Sequence, residues 1–235
     1  MTDSLSTEAK LICGNWRYSS WSLRGWLSLR KAGVDPDLVV LPMDTPEFEA
    51  TIAEYSPTRR VPVLWLDDEL VWDSLAIAET MNERFADGRL WPEDPKLRAM
   101  GRSMAAEMHS GFAALRNALP MNCRALQREV SVEADVAADI TRICELWDLA
   151  RGASNSEGWL LGSLSLADVM FAPVALRFRA YKLDLPESAT QYVQHWLSDA
   201  DLQHWLSEAA EESWVIEHEE VGEPSLAERA ETNET

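Results

Sequence analysis

Val61-Pro62 and Asp73-Ser74 are the residues of this sequence whose types and spacing promise chemistry. Pro62 removes a backbone donor at the start of the apolar run Val63-Leu64-Trp65-Leu66, a place where proline is tolerated at a sheet edge or as a cis peptide. The Val61 backbone is then left to pair with something else. Past a polar turn, Asp67-Asp68-Glu69, and a short apolar return, Leu70-Val71-Trp72, Asp73 or Ser74 caps the run Leu75-Ala76-Ile77-Ala78-Glu79. The unpaired N–H groups and dipole of such a helix start favour an anion. A bound α-carboxylate fits there, with Asp73 placed to take an α-ammonium. Taken alone, Asp-Ser reads as an ordinary helix cap.

These residues need elements to hold them, and residues 10–85 supply alternating strand and helix signals. Lys10 to Gly14 reads as a strand, Ser22 to Ala32 as a helix ended by Gly33, Leu38 to Leu41 as a strand and Pro46 to Glu54 as a short helix. The hairpin 60–72 and a helix from Ser74 to Phe85 complete the order βαβαββα. A right-handed crossover followed by a hairpin gives a small mixed sheet, an α/β thioredoxin-like domain expected over residues 8–87. Residues 88–95 hold two prolines and read as a linker. Strand signals nearly vanish afterwards. Helices are expected from Lys96 to Leu119, Val132 to Arg151, Leu166 to Tyr181, Gln191 to Leu197 and Leu202 to Trp214, an all-α bundle over 96–216. Ser165-Leu166-Ala167-Asp168 has the spacing of a capping box, a folding signal.

Composition narrows the partners. With 21 Lys+Arg against 40 Asp+Glu, the formal charge of −19 disfavours nucleic acid and anionic membranes. The 46% of hydrophobic residues is enough for a core. Cys13, Cys123 and Cys144 form neither a redox pair nor a zinc pattern, so no metal is expected. Met1 to Thr7 shows no secretory signal and no run reaches membrane-spanning length, so a cytoplasmic location is expected. The glutamates of residues 217–235 read as a flexible, solvated acidic tail.

The co-occurrence of Tyr55 to Leu64, Asp73-Ser74-Leu75-Ala76-Ile77 and the Ser165 to Asp168 box, in that order, resembles the cytosolic glutathione S-transferases over nearly the whole chain before the tail. The resemblance implies glutathione as cosubstrate and a cis Val61-Pro62 bond. It implies that Val61 pairs with the cysteinyl part, and that Asp73 and Ser74 hold the γ-glutamyl ammonium and carboxylate. Ser19-Ser20-Trp21-Ser22-Leu23-Arg24 resembles the serine turn of the zeta, tau and theta classes. In that pattern Ser19 donates a hydrogen bond to the glutathione sulfur and favours the thiolate, with Ser20 and Tyr18 as alternatives. Trp21 stands where the zeta turn has cysteine. Residues 42–50 lack the Lys, Gln or His that often meets the glycine carboxylate, leaving Arg60 or Arg59 for it.

The implied reaction is attack of the thiolate on a small electrophile. Glutathione-dependent cis–trans isomerisation, or binding without turnover, are alternatives, and a homodimer is expected. Trp16, Met104, Met108, His109 and Phe112 are candidates for the electrophile's wall, with core packing the competing use and no catalytic role for His109. Arg24 is expected to pair with an acid between the domains.

Overall fold

The computed structural model describes residues 8–225 and 228. Its first half runs Ala9–Cys13 (β1), Ser20–Lys31 (α1), Asp37–Val40 (β2), Pro46–Tyr55 (α2), Val63–Leu66 (β3), Glu69–Val71 (β4) and Ser74–Phe85 (α3). The strands lie in the order β2-β1-β3-β4, with β1 parallel to β2 and antiparallel to β3. This is the mixed sheet expected from the sequence. Successive side chains of a strand face opposite ways, and the strands use both faces. Ala9, Leu11 and Cys13 join the main core with α1 and α3, while Ile12 and Val63 meet Phe48 and Ile52 of α2 behind the sheet.

The second half is helical: Pro95–Ser110 (α4), Ala113–Ala118 (α5), Ala134–Ser154 (α6), Leu166–Ala180 (α7), Glu187–Leu197 (α8) and Ala200–Glu211 (α9). The main core is continuous across both halves, through Trp26 of α1, Met104 and Met108 of α4, and Met170 and Phe171 of α7. Lys31 adds a part-buried clasp, reaching Asp199 at 2.6 Å and Asp201 at 2.7 Å.

The single helix expected from Lys96 to Leu119 is two helices. Gly111 is extended and Phe112 takes a left-handed conformation, φ 60°, burying its ring. The last carbonyls of α4, those of Met108 and His109, then accept from the Arg116 guanidinium, so the helix end is satisfied from α5. Periodicity runs straight through this break because its cause is a side chain folding back.

The capping box is formed, and Asp168 is buried at the start of α7. Its carboxylate accepts from Leu160 N–H at 2.9 Å, Ser165 N–H and hydroxyl at 2.8 Å each, and Tyr192 hydroxyl at 3.0 Å. Burial pushes this carboxyl up to about 6 despite those four donors.

The acidic C-terminal stretch is held to the helical half at Glu220 and Glu228, while Glu217 and Glu223 are exposed. A 3₁₀ turn spans Glu217–Glu219, and Glu220 and Glu228 both pair with the buried Arg128, at 2.7 and 2.5 Å. The Arg128 guanidinium, buried in the helical half, is the charge that these two acids meet; Glu231 and Glu234 lie outside the described residues. No helix among the described residues is long and apolar enough to cross a membrane.

Candidate functional site

Val61, Pro62, Asp73 and Ser74 meet in one cleft of about 610 Å³, lined also by Trp21, Thr58, Arg60, Trp72 and His109. A cleft of about 660 Å³ under the 88–95 connection is no smaller, so volume does not single out a site. The polar groups there already serve the fold: Asp94 caps α4, and Arg98 donates to the carbonyls of Pro92 and Glu93. The Asp73–Ser74 cleft has a buried polar atom without a partner.

That atom is Ser74 Oγ, on a fully buried residue at the first position of α3. Asp73 is the N-cap of the same helix: its Oδ1 accepts from Leu75 N–H at 3.0 Å and Ala76 N–H at 3.4 Å. Its Oδ2 lies 3.1 Å from His109 Nε2, and the carboxylate is half exposed. The cap and the ligand-holding roles are therefore compatible, one oxygen for each. The peptide bonds Val61-Pro62 and Trp72-Asp73 are both cis. Val61 stands just before the paired part of β3, which begins where Val63 faces Ile12. Arg60 lines the cleft and Arg59 does not, the loop between them and Ser56 being pinned by Ser56 Oγ donating to Arg60 C=O at 3.0 Å.

The serine turn is less open. Ser19 is the N-cap of α1 and is buried. Its hydroxyl donates to Ser22 Oγ at 2.8 Å and accepts from Ser22 N–H at 3.3 Å, and Ser22 Oγ also accepts from Gly14 N–H at 2.9 Å. Ser20, next along, is partly exposed. From this turn it is Trp21 that lines the cleft. Tyr18 points elsewhere: its hydroxyl donates to Glu220 at 2.5 Å and accepts from Arg17 Nη1 at 3.0 Å. Burial and the Glu220 carboxylate push the Tyr18 phenol up to about 12.

Trp21 is gripped by the guanidiniums of Arg24 and Arg116, each 4.7 Å from its ring, and touches the His109 ring edge-on at 5.2 Å. Arg24 has no acid partner among the described residues, contrary to expectation. It donates Nε–H to the Met170 carbonyl at 2.9 Å, and Nη1 is buried without a partner. Burial first, then Arg116 and Arg177, pulls its basicity well down. Of the five wall candidates only His109 lines the cleft; Met104, Met108 and Phe112 are core, and Trp16 packs on Trp26 and Trp205. Trp21 and the His109–Asp73 contact were missed by sequence reasoning. The contact depends on docking α4 against the start of α3, which no local pattern records.

The cleft thus joins a cis-proline strand edge, a carboxylate and a helix N-terminus with an unsatisfied hydroxyl. Residues 18–84 match the glutathione S-transferase N-terminal domain. A probable maleylacetoacetate isomerase of Caenorhabditis elegans is 31% identical over 114 residues, 48% of this chain and 52% of that one. The chain therefore spans about half the length of that relative. Maleylacetoacetate isomerase of Rattus norvegicus is 25% identical over 171 residues, covering 71% of this chain and 76% of the relative. Among solved structures, a Burkholderia glutathione transferase homolog with bound glutathione superposes with TM-score 0.67 at 21% identity, covering 87% of this chain and 100% of that one. The fold is that of the glutathione transferases: a thioredoxin-like domain followed by a helical one.

Proposed function

We propose that the protein binds glutathione in the Asp73–Ser74 cleft and activates its thiol for reaction with a small electrophile. The observation that carries this reading is the buried, partnerless Ser74 Oγ beside the half-exposed Asp73 carboxylate. A hydroxyl desolvated without a hydrogen bond destabilises the empty fold by roughly 1–3 kcal/mol, a loss that a ligand carboxylate removes. In this arrangement the γ-glutamyl carboxylate takes the Ser74 hydroxyl and the start of α3, its ammonium takes Asp73 Oδ2, and the cysteinyl peptide pairs with Val61. Arg60 is the cation available to the glycine carboxylate, and Pro62 shapes the strand edge.

The sulfur then lies toward the N-terminus of α1. We assign its activation to Ser19. A rotation about its χ1 moves the hydroxyl from Ser22 to the sulfur, and the helix start supplies further stabilisation of negative charge. Both lower the thiol pKa and raise the thiolate fraction. The thiolate forms a carbon–sulfur bond to the electrophile, whose leaving group departs with the bonding pair or whose carbanion takes a proton. The likeness to named isomerases supports a second reading. Thiolate adds to a conjugated double bond, the resulting single bond rotates, and the thiolate leaves, restoring both glutathione and a double bond. We further propose a homodimer.

Calorimetric titration with millimolar glutathione tests the binding; absence of heat would falsify the reading. Glutathione consumed per product formed separates the two reactions: one for conjugation, none for isomerisation. Saturable binding without turnover over a broad electrophile panel would instead indicate a binding protein.

A further inference from the structure

His109 and Asp73 come from different halves of the chain and meet at the edge of the cleft, Nε2 to Oδ2 at 3.1 Å. Asp73 Oδ1 is committed to the cap of α3, so Oδ2 is the oxygen left for a ligand ammonium, and it is the oxygen that His109 addresses. His109 Nδ1 is buried with no partner, so the polar contact of this imidazole runs through Nε2. Among the described residues, the charged side chains that line the cleft with His109 are Asp73 and Arg60. Asp73 faces it from the start of α3, Arg116 of α5 donates to its carbonyl, and Arg24 of α1 lies against the Trp21 ring that His109 touches.

We propose that His109 is a positioning residue for the amino end of the thiol substrate, and that its protonation sets how well that end binds. The inference rests on the function proposed above. A neutral imidazole can donate Nε2–H to Oδ2, aiming the carboxylate into the cleft while leaving its full charge for the ammonium. An imidazolium is a second cation on the same oxygen and competes with the ammonium. Protonation of the imidazole therefore weakens binding. A residue that only packed against Trp21 would give no such dependence.

The test is calorimetric titration of the full chain with glutathione, and with its analogue lacking the α-amino group, at about pH 7.5 and about pH 6. Wild type, His109→Gln and His109→Phe are compared, the last keeping a ring against Trp21 should the first fail to fold. The glutathione Kd of wild type should rise about fivefold on acidification, the factor that one partly exposed ion pair supplies. In both variants, and for the amine-free analogue, it should stay within about twofold. A pH-independent Kd in wild type, or the full wild-type slope retained in the variants, overturns the inference and leaves the proposed function standing. No glutathione binding at either pH overturns both.

Discussion

At the scale of the residue, Asp73 divides its carboxylate between a helix cap and a ligand, and Ser19 is a helix cap whose hydroxyl must turn to reach a sulfur. These shared duties make substitutions separable. Asp73→Asn keeps an oxygen for the cap and removes the charge facing the ammonium. Steady-state kinetics should show the glutathione KM rising about 10- to 100-fold, the worth of a charge-assisted hydrogen bond, with kcat changed far less. Ser19→Ala should do the reverse, lowering kcat by about 100-fold through loss of a donor to developing negative charge, with KM changed far less. If Ser20→Ala carries that loss and Ser19→Ala does not, the activating hydroxyl is the partly exposed neighbour. The sequence pointed to this turn and to the Asp-Ser pair because both are local motifs. It did not point to Trp21 or to the lack of an acid for Arg24, which are set by helices far away in the chain.

Among the elements, α7 depends most on one side chain. The Asp168 carboxylate receives four donors, and Asp168→Asn replaces one accepting oxygen by an amide N–H that faces donors. Chemical unfolding should register a loss of about 2–4 kcal/mol at neutral pH. The pH dependence has an unusual sign. Because burial holds the folded-state pKa at about 6, above the ordinary carboxyl value, the folded protein binds the proton first on acidification. Wild type should therefore gain stability over Asp168→Asn as pH falls from about 7 to about 4, by up to about 3 kcal/mol. Equal slopes in the two proteins would show that the buried carboxyl is not so perturbed. Helix α3 was legible in the sequence from Ser74 to Phe85, and so was a mixed sheet, from a βαβ crossover followed by a hairpin. The division of α4 from α5 was not, since apolar spacing continues through Phe112 while its backbone turns left-handed.

For the whole molecule, the C-terminal segment acts as a brace. Glu220 holds Tyr18, Asn122 and Arg128, and Glu228 holds Arg128 again. Arg128 is buried, so removing both acids leaves its charge without compensation. Glu220→Gln with Glu228→Gln should lower stability to unfolding by about 3–5 kcal/mol, the loss usual when a buried pair is broken, and a change below 1 kcal/mol would reduce the brace to a surface contact. Composition alone made this stretch look solvated, because it shows acids without showing the bases they meet.

Glu212 accepts from the backbone N–H groups of Trp16 and Arg17 at 2.9 and 3.1 Å, directly before the turn that carries Ser19. During synthesis the sheet domain emerges first and has its strands in hand early. The acid that fixes its loop is made almost 200 residues later. A nascent chain thus carries its ligand cleft half built, and termination between His109 and Glu212 leaves these two N–H groups without their acceptor although every residue lining that cleft has already been made.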